Sequence, residues 1–383
     1  MTASAGTISV AVNLLWLVPG QVGGSEESTV ASLHGLAELG AADIDLRLLV
    51  LESFAEAHPE IVATLPTDVL ALSGRSRGAR VAAEATWLLR RTGESDLIHH
   101  AGGTAPMGRR VPYVLTLHDL QPLERRVTAT GPRTHSSLKR AYLRAVVPRS
   151  LRGARRVVVP SAFVRDTVLA RTDLEPSRVV VVPHGVERTV PATPPGELVA
   201  RFGLDGPVVL YPAITYPHKD HATLVEAFAS VLIDHPTAVL VLPGRADSAE
   251  ASLLAQVERL GIGARVRRLG RIPAPDVAGL YDLATVVAVP STYEGFGLPA
   301  AEAMACGIPV VAAEATSLPE VVGDAGLLVA PGDVPGWADA IGGLLANPAR
   351  RARLSAAGSI RATAFGRRAN AAALAEVYRS AVG

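Results

Sequence analysis

Two glutamates eight residues apart carry the strongest chemical signal in the sequence, Glu294 and Glu302. They follow a valine-rich run at 286–289 that predicts a buried strand. Glycines after Glu294 predict a turn, and Pro299 is tolerated at the first position of a helix, so we expect Glu294 in a loop and Glu302 on the first helical turn. Carboxylates on one cleft wall suit the vicinal hydroxyls of a ribose or hexose. The alternative is a solvent-facing Glu294 and a helix-capping Glu302.

The turn between the two glutamates offers backbone donors. Free N–H groups at a helix start, together with the helix dipole, favour an anion such as a phosphate. The residues concerned are Gly295, Phe296, Gly297 and Leu298.

A second glycine-rich turn follows the first predicted strand and precedes a helix predicted over 25–39. It contains Gly20, Gly23 and Gly24, and Glu26 comes just after it. Glycines let a backbone approach a ligand closely. The pattern is not G-x-G-x-x-G, which disfavours a nicotinamide oxidoreductase. A plain strand-to-helix turn, with Glu26 as an acid in the first helical turn, stays open.

His118 and Asp119 stand at the end of a strand predicted over 113–117. A histidine there can donate to a sugar hydroxyl or act as an acid or base. The alternative is a loop histidine paired with its neighbour's carboxylate. No group of His, Asp and Glu has metal-ligand spacing, and the single Cys306 excludes a cysteine metal site and a disulfide framework, so we predict no metal.

These candidates fall at the ends of strands in an alternating pattern. Short Val, Leu and Ile runs alternate with longer amphipathic stretches, which is typical of βα units and predicts an α/β fold with mostly parallel sheets. A proline-rich segment at 191–196 divides the series into two Rossmann-like halves. In such sheets ligands bind beyond the carboxyl ends of the strands. The predicted strands are 8–18, 46–51, 97–99, 113–117, 156–159, 179–182, 207–211, 238–242, 266–269, 286–290 and 309–312.

The composition excludes several other classes of protein. The chain has 383 residues, 49% of them apolar, with 37 basic against 36 acidic residues, which argues against disorder and for two domains. No apolar run approaches the roughly 18 residues needed to cross a bilayer, and the run at 8–18 lacks the basic flank of a secretory signal. We therefore expect a soluble, cytoplasmic protein. Lysine is scarce, since only Lys139 and Lys219 are present.

With these residues in view, the chain resembles a known family. Residues 294–311, EGFGLPAAEAMACGIPVV, resemble the E-x7-E region of retaining glycosyltransferase family 4, closest to its mannosyltransferase-like members. Residues 317–333 resemble the continuation of that region, and 182–186 resemble the segment between the two domains of the family. The resemblance is continuous from about 155 to 340 and looser at Gly23-Gly24 and His118-Asp119.

The resemblance implies a GT-B fold, in which two facing Rossmann-like domains enclose a cleft. Residues 1–190 would hold the acceptor and 191–366 the donor, while a C-terminal helix at about 367–383 would pack back on the first domain. The resemblance implies no cofactor, because the nucleoside diphosphate sugar is a substrate.

The same resemblance assigns roles by position. Glu302 would bind the donor ribose, Glu294 would lie beside the hydroxyls of the transferred sugar, and Lys219 would neutralise the diphosphate, for which a compact ammonium is suited. Gly23 and Gly24 would approach the donor and acceptor, and His118 would lie near the reactive face of the sugar. Glu320 belongs to the second matching block, without a defined contact.

One position departs from the family pattern. Many members carry an arginine five residues before the lysine, where this chain has Ile214, and His218 stands in the place of an arginine found in a related subgroup. The second positive charge on the diphosphate would then come from elsewhere, and Arg245 is our candidate.

A basic segment lies in the first half of the chain. Residues 125–178 contain 13 Lys and Arg but three Asp and Glu, with Lys139 among them. Such a segment could receive an anionic acceptor or dock on an anionic membrane surface, which would make the protein peripheral to the membrane. A solvated arginine-rich face is the alternative. The near-zero net charge argues against nucleic acid.

The sequence thus predicts a retaining, metal-independent glycosyltransferase. It would move a hexose, with GDP-mannose or a deoxyhexose donor favoured, to an acceptor hydroxyl on a glycan, a lipid-linked intermediate or a small molecule. Two rivals stay open: a nucleotide-sugar epimerase on the same scaffold, and a catalytically silent sugar-nucleotide binding subunit.

Overall fold

A computed structural model describes residues 6–21, 23–106, 111–120, 137–187 and 190–383, with side chains for all of these except 137–142. Part of the predicted basic segment, 125–136 and the side chain of Lys139, lies outside the described residues. In the described part, no helix is both long enough and apolar enough to cross a membrane.

The chain forms two compact units. One contains the described residues up to Gly185 together with Gly366–Gly383, and the other contains Val186–Phe365. The proline-rich segment at 191–196 lies within the second unit, where the Thr193 amide donates to the Pro275 carbonyl at 2.9 Å. The chain therefore passes between the units at 185–186 and again at 365–366.

The first unit is built on a seven-stranded parallel sheet of order β3-β2-β1-β4-β5-β6-β7. Its strands are β1 Ile8–Asn13, β2 Ile44–Leu51, β3 Thr67–Leu70, β4 Leu97–His100, β5 Tyr113–Thr116, β6 Arg156–Val159 and β7 Val179–Val181. Its helices are α1 Gly24–Leu39, α2 Glu52–Ala57, α3 Pro59–Thr64, α4 Arg77–Ala85, α5 Trp87–Arg91, α6 Ser137–Gly153 and α7 Ala162–Leu169, with α16 Arg367–Val382 from the end of the chain.

The first strand is shorter than its sequence predicts. The apolar run extends to residue 18, but β1 ends at Asn13. The Asn13 side-chain oxygen accepts a hydrogen bond from the Leu15 amide at 3.1 Å, a local turn that competes with the strand ladder. The apolar residues that follow Asn13 lie in loop rather than in strand, and four of them are buried: Leu14, Leu15, Leu17 and Val18.

The second unit has a six-stranded parallel sheet of order β10-β9-β8-β11-β12-β13. Its strands are β8 Val208–Leu210, β9 Val239–Pro243, β10 Val266–Gly270, β11 Ala284–Val289, β12 Val310–Ala313 and β13 Leu327–Val329. Its helices are α8 Pro195–Phe202, α9 His221–Asp234, α10 Glu250–Arg259, α11 Ala274–Leu283, α12 Leu298–Ala305, α13 Leu318–Val322, α14 Val334–Ala346 and α15 Pro348–Ala362. The predicted α/β class with two parallel sheets is confirmed.

Helix α16 belongs to the first unit although it lies at the end of the sequence. It packs on α1, where Gly35 is so close that an added Cβ would lie 2.5 Å from the Arg367 carbonyl oxygen. Its apolar face covers one side of the first sheet, with Leu374 and Tyr378 buried in that core. The Tyr378 hydroxyl lies 2.8 Å from the His99 Nδ1, so α16 also completes a buried polar contact at β4.

Candidate functional site

A nearly buried ion pair joins two neighbouring loops of the second unit. Lys219 ends a short 3-10 turn, Pro217–Lys219, after β8, and Glu294 lies in the loop after β11. Because β8 and β11 are adjacent parallel strands, both loops leave the same edge of the sheet. The Lys219 Nζ donates to the Glu294 Oε1 at 2.7 Å, and the two side chains are 18% and 10% exposed.

The pair keeps the Glu294 carboxyl ionised. Burial acts to raise the pKa of Glu294, but the Lys219 ammonium and hydrogen bonds from Lys219 and Ser291 outweigh it and hold the pKa below its usual value. The Tyr211 hydroxyl holds the backbone of Lys219 in place by donating to its carbonyl at 2.9 Å, and it lies 2.7 Å from the Ser291 hydroxyl.

The loop that carries Glu294 is fastened at several backbone atoms. The Glu294 amide donates to the Thr316 hydroxyl at 3.0 Å, and the Ser317 hydroxyl lies 3.0 and 2.9 Å from the carbonyl oxygens of Glu294 and Phe296. Gly297, the N-cap residue of α12, has φ 101°, a conformation that favours glycine. The turn predicted at 295–298 is therefore present and leads directly into a helix.

Glu302 lies on α12, one helical position later than predicted. The helix begins at Leu298, so Glu302 is on the second turn rather than the first and does not cap the helix. Its Oε2 accepts a hydrogen bond from the Tyr281 hydroxyl of α11 at 2.6 Å. Burial raises the pKa of Glu302, and the bond from Tyr281 opposes that rise.

Two residues linked to the departure from the family pattern contact Tyr216: His218, which stands in the place of an arginine, and Arg245, our candidate for the second positive charge. The His218 ring stacks on the Tyr216 ring with centroids 5.4 Å apart, and burial and the Lys219 charge lower the pKa of His218 to about 4. Arg245 donates to the Tyr216 hydroxyl at 3.1 Å and pairs with Asp247 at 3.2 Å. Arg245 and Lys219 thus flank the same loop, and Arg245, 41% exposed, keeps access to solvent.

Glu320 lies in α13, where its backbone carbonyl accepts a hydrogen bond from Arg361 of α15. This contact explains how α13 is held and assigns no ligand to the Glu320 carboxylate.

The first unit holds its own candidate residues at the carboxyl edge of its sheet. His118 follows β5 and is half-buried, as is Asp119 next to it. The His118 Nε2 donates to the Ala101 carbonyl at 3.0 Å, and its ring lies 5.6 Å from the Trp16 ring and 5.4 Å from the His184 ring. Burial lowers the pKa of His118 to about 4, so the ring is neutral at pH 7.

The glycine-rich turn at the start of α1 is tied down by a contact that the sequence does not indicate. Gly23 is the N-cap residue with φ 59°, and Gly24 begins the helix. The Glu26 carboxylate accepts a bond from the Gly20 amide at 2.6 Å and lies 3.2 Å from the His58 Nε2. Glu26 therefore holds the glycine-rich turn in place, in addition to being an acid in the first turn of α1. One of its partners, His58, lies thirty-two residues away in the sequence.

Three supporting residues of the second unit were also missed: Tyr211, Tyr281 and Ser317. Each acts through contacts between elements far apart in the chain, so no local pattern indicates it. Among the residues with described side chains, no three His, Cys, Asp or Glu are arranged to hold a metal ion.

Two family models match the chain, one on each half. The model described as "Glycosyltransferase Family 4" matches residues 22–190, and the model described as "Glycosyl transferases group 1" matches residues 199–361.

Two relatives each match about two thirds or more of the chain. A D-inositol 3-phosphate glycosyltransferase of Frankia alni is 35% identical over 285 residues, 71% of this chain and 69% of the relative. The O-antigen chain mannosyltransferase B of Escherichia coli is 31% identical over 257 residues, 65% of this chain and 64% of the relative.

Solved structures share the fold at low sequence identity. HepE of Anabaena, in complex with UDP and glucose, matches with a TM-score of 0.74 and 23% identity over 97% of this chain and 100% of that one. A sucrose-phosphate synthase of Thermosynechococcus elongatus matches with a TM-score of 0.72 and 23% identity over 97% of this chain and 98% of that one.

Proposed function

The chain belongs to glycosyltransferase family 4, whose members are retaining, nucleotide-sugar-dependent enzymes with the GT-B fold, and we propose that it moves a hexose from a nucleoside diphosphate sugar to an acceptor hydroxyl without a metal ion. The donor lies on the second unit, and the acceptor lies on the first.

The ion pair between Lys219 and Glu294 is the observation that carries this proposal. It places an ammonium and an ionised carboxylate 2.7 Å apart in a nearly buried site at the carboxyl edge of a parallel sheet. The ammonium can stabilise a departing diphosphate, and the carboxylate can accept hydrogen bonds from sugar hydroxyls. Low exposure strengthens both interactions because water does not screen them.

We assign the remaining contacts with the donor to α12, to the turn that precedes it and to Arg245. Glu302 accepts hydrogen bonds from the ribose, and the backbone at 295–298 faces a phosphate at the start of α12. Arg245 supplies the second positive charge on the diphosphate, since its guanidinium flanks the loop of Lys219 and is partly exposed. Loss of Arg245 should weaken donor binding, and unchanged donor affinity in Arg245→Ala would exclude this role.

Transfer proceeds with attack on the face that the diphosphate leaves. The bond between the anomeric carbon and the diphosphate oxygen breaks, the acceptor oxygen bonds to that carbon, and the acceptor proton passes to the diphosphate. A two-carboxylate mechanism needs a nucleophile beneath the anomeric carbon, and Glu294 and Glu302 are engaged with hydroxyls. Trapping a glycosyl adduct on any carboxylate of this chain would overturn the same-face route.

In the first unit, His118 and the turn of Gly23 and Gly24 serve the reactive face of the sugar and the acceptor. The neutral His118 ring can exchange hydrogen bonds with hydroxyls without adding charge. The acceptor belongs to a glycan, a lipid-linked intermediate or a small molecule, and the basic segment at 125–178 offers an anionic surface a place to bind.

The donor we favour is GDP-mannose or a deoxyhexose donor. The support is the local sequence around His218 and Lys219, together with the similarity to a relative described as a mannosyltransferase.

A thermal-shift screen against UDP, GDP, dTDP and ADP sugars tests the proposal directly. A ligand that binds only the folded protein raises its Tm, by an amount that grows with concentration. We expect a shift with one base, lost in Lys219→Ala. Incubation of that donor with and without acceptor then separates transfer from epimerisation, since an epimerase forms product without acceptor. No shift with any of the four sugars would contradict the proposal.

A further inference from the structure

Resting on the proposed function, we infer that Thr215 is a positioning residue for the diphosphate of the donor. Thr215 lies between β8 and the 3-10 turn that ends at Lys219, and it is fully buried. It fastens this stretch to the segment after β9 that carries Arg245. The two cations that we assign to the diphosphate, Lys219 and Arg245, are thereby held in one arrangement before a donor binds.

Four hydrogen bonds join Thr215 to the segment after β9. The Thr215 amide donates to the Arg245 carbonyl at 3.2 Å, and the Thr215 carbonyl accepts from the Ala249 amide at 3.0 Å. The Thr215 hydroxyl accepts from the Asp247 amide at 2.7 Å and donates to the Glu250 Oε2 at 2.8 Å. Because all of its polar atoms are engaged with one segment, Thr215 fixes the path of that segment beside its own.

The direction of the Thr215 hydroxyl is set by a rigid partner. A carboxylate can only accept, so the hydroxyl hydrogen points to Glu250 and a lone pair is left for the Asp247 amide. Glu250 is itself held by the fork of Arg268 in β10, whose Nε and Nη2 donate to its two oxygens, each at 3.0 Å. The Glu250 and Arg268 side chains are 22% and 10% exposed, and a bidentate pair of this kind has a fixed geometry.

The contacts of Thr215 reach both groups that orient the Arg245 guanidinium. One is the Asp247 carboxylate, 3.2 Å away, whose residue is held at its amide by Thr215. The other is the Tyr216 hydroxyl, at 3.1 Å, on the residue that follows Thr215 in the chain. A cation that is oriented beforehand loses less entropy when an anion binds. Loss of the Thr215 hydroxyl should therefore weaken diphosphate binding although it removes no charge.

The same unit contains a second threonine, carboxylate and arginine set, which serves as a matched control. The Thr193 hydroxyl donates to the Asp276 Oδ1 at 2.7 Å, and Asp276 of α11 pairs with Arg201 of α8. Lys219 and Arg245 have other partners, so this set does not orient the proposed phosphate-binding cations. Thr193→Val removes the same kind of hydrogen bond as Thr215→Val without a contact to either cation.

Calorimetric titration with inorganic pyrophosphate, in EDTA and at constant ionic strength, tests this role. Pyrophosphate carries the diphosphate charge that all candidate donors share, so the test does not depend on the nucleobase. We expect the dissociation constant to rise about tenfold in Thr215→Val, which keeps the shape of the side chain but removes the hydroxyl. Thr215→Ser, which keeps the hydroxyl, and Thr193→Val should bind as tightly as the wild type.

Two further variants separate positioning from charge and from general loss of stability. In Arg245→Ala, adding Thr215→Val should cause no further loss of affinity, because Thr215 acts through Arg245. Glu250→Ala removes a negative charge, so charge alone predicts tighter binding of pyrophosphate, whereas loss of positioning predicts weaker binding. Glu250→Ala also keeps the test decisive if urea unfolding shows that Thr215→Val does not fold.

Several outcomes would overturn the positioning role. These are wild-type affinity in Thr215→Val, an equal loss in Thr193→Val, a further loss on top of Arg245→Ala, and tighter binding in Glu250→Ala. The proposed function has a separate criterion, since it fails if no nucleotide sugar raises the Tm. If one does raise the Tm and Thr215→Val still binds pyrophosphate as the wild type does, only the positioning role fails.

Discussion

At the scale of single residues, Lys219 is the side chain on which most of the proposed chemistry depends. It is one of two lysines in the chain, and its ammonium balances the buried Glu294 carboxylate. We predict that Lys219→Ala lowers kcat by about 10²–10³-fold, the range found when one electrostatic stabiliser of a transition state is removed. Single-turnover transfer with a saturating donor measures this loss.

A double variant separates catalysis from stability at the same pair. Lys219→Ala leaves Glu294 buried and unpaired, which should cost roughly 3–5 kcal/mol of the free energy of unfolding. Lys219→Ala combined with Glu294→Gln removes the unpaired charge, so stability should recover in part while activity stays low. Full activity in the double variant would show that the pair is structural.

Tyr281 should matter for donor binding, although it is not expected to touch the donor. Its hydroxyl orients Glu302 at 2.6 Å and counteracts the rise in the pKa of Glu302. We predict that Tyr281→Phe weakens donor affinity about 3–10-fold, in line with a lost hydrogen bond of about 1 kcal/mol. Because the pKa of Glu302 should rise further, the loss should grow as pH falls. Calorimetric titration of the donor at pH 8 and pH 6 checks both points, and an equal loss at both would reject the pKa part.

The sequence indicates the residues proposed to contact the donor better than the residues that hold them in place. Glu294 and Glu302 stand in a local pattern of strand, turn and helix whose chemistry can be interpreted directly, whereas Lys219 is assigned through the resemblance to the family. Tyr281 and Glu26 act through partners on other elements, Glu302 and His58, which only the fold brings near. Pairing over such separations leaves no periodic signal in the chain.

At the scale of elements, the loop after β11 is held in place by hydrogen bonds from the segment that follows β12. Ser317 lies within 3.0 Å of two carbonyl oxygens of that loop. We predict that Ser317→Ala costs about 1–3 kcal/mol, the usual loss when buried acceptors lose a donor, and lowers kcat by shifting Glu294. Urea unfolding and transfer kinetics measure the two effects.

Ser355→Ala is the matched control for this prediction. Its hydroxyl also donates to a carbonyl of the second unit, that of Gly307, away from the Glu294 loop. It should lose stability without losing transfer rate. If Ser317→Ala also loses stability without losing transfer rate, Ser317 does not position Glu294.

Element boundaries were less predictable than element types. The alternation of strands and helices gives both parallel sheets, but β1 stops at Asn13 because a side chain captures a backbone amide. Similarly, α12 begins at Leu298 because Gly297 can adopt a positive φ, which moves Glu302 to the second turn. Both boundaries depend on one local hydrogen bond or dihedral angle, which hydrophobic periodicity does not record.

At the scale of the whole molecule, buried and half-buried histidines make stability depend on pH. Burial lowers the pKa of His99 and His221 to about 3 and of His118 and His218 to about 4, and it lowers that of His184 well below 6.5. Since these pKa values are lower in the folded state, the unfolded chain binds protons first as pH falls. Stability is therefore full above pH 6.5 and is lost between 6.5 and the folded values. Each histidine should remove about 1.4 kcal/mol between pH 7.5 and 5.5.

Urea unfolding at these two pH values tests the prediction. With three such histidines in the first unit and two in the second, the losses should be about 4 and about 3 kcal/mol if the units unfold separately. His221→Gln should reduce the loss in the second unit by about 1.4 kcal/mol. A stability that is flat between pH 5.5 and 7.5 would contradict it.

The passage of the chain out of the first unit and back again imposes an order on its synthesis. The seven described strands of that unit are synthesised before Val186–Phe365, but α16, whose Leu374 and Tyr378 seal one face of the sheet, is synthesised after it. The nascent first unit therefore has an uncovered apolar face while the whole second unit is synthesised and folds. The time for which that face stays uncovered is set by the rate of translation. Slow or stalled synthesis should therefore expose the first unit, rather than the second, to chaperones and proteases.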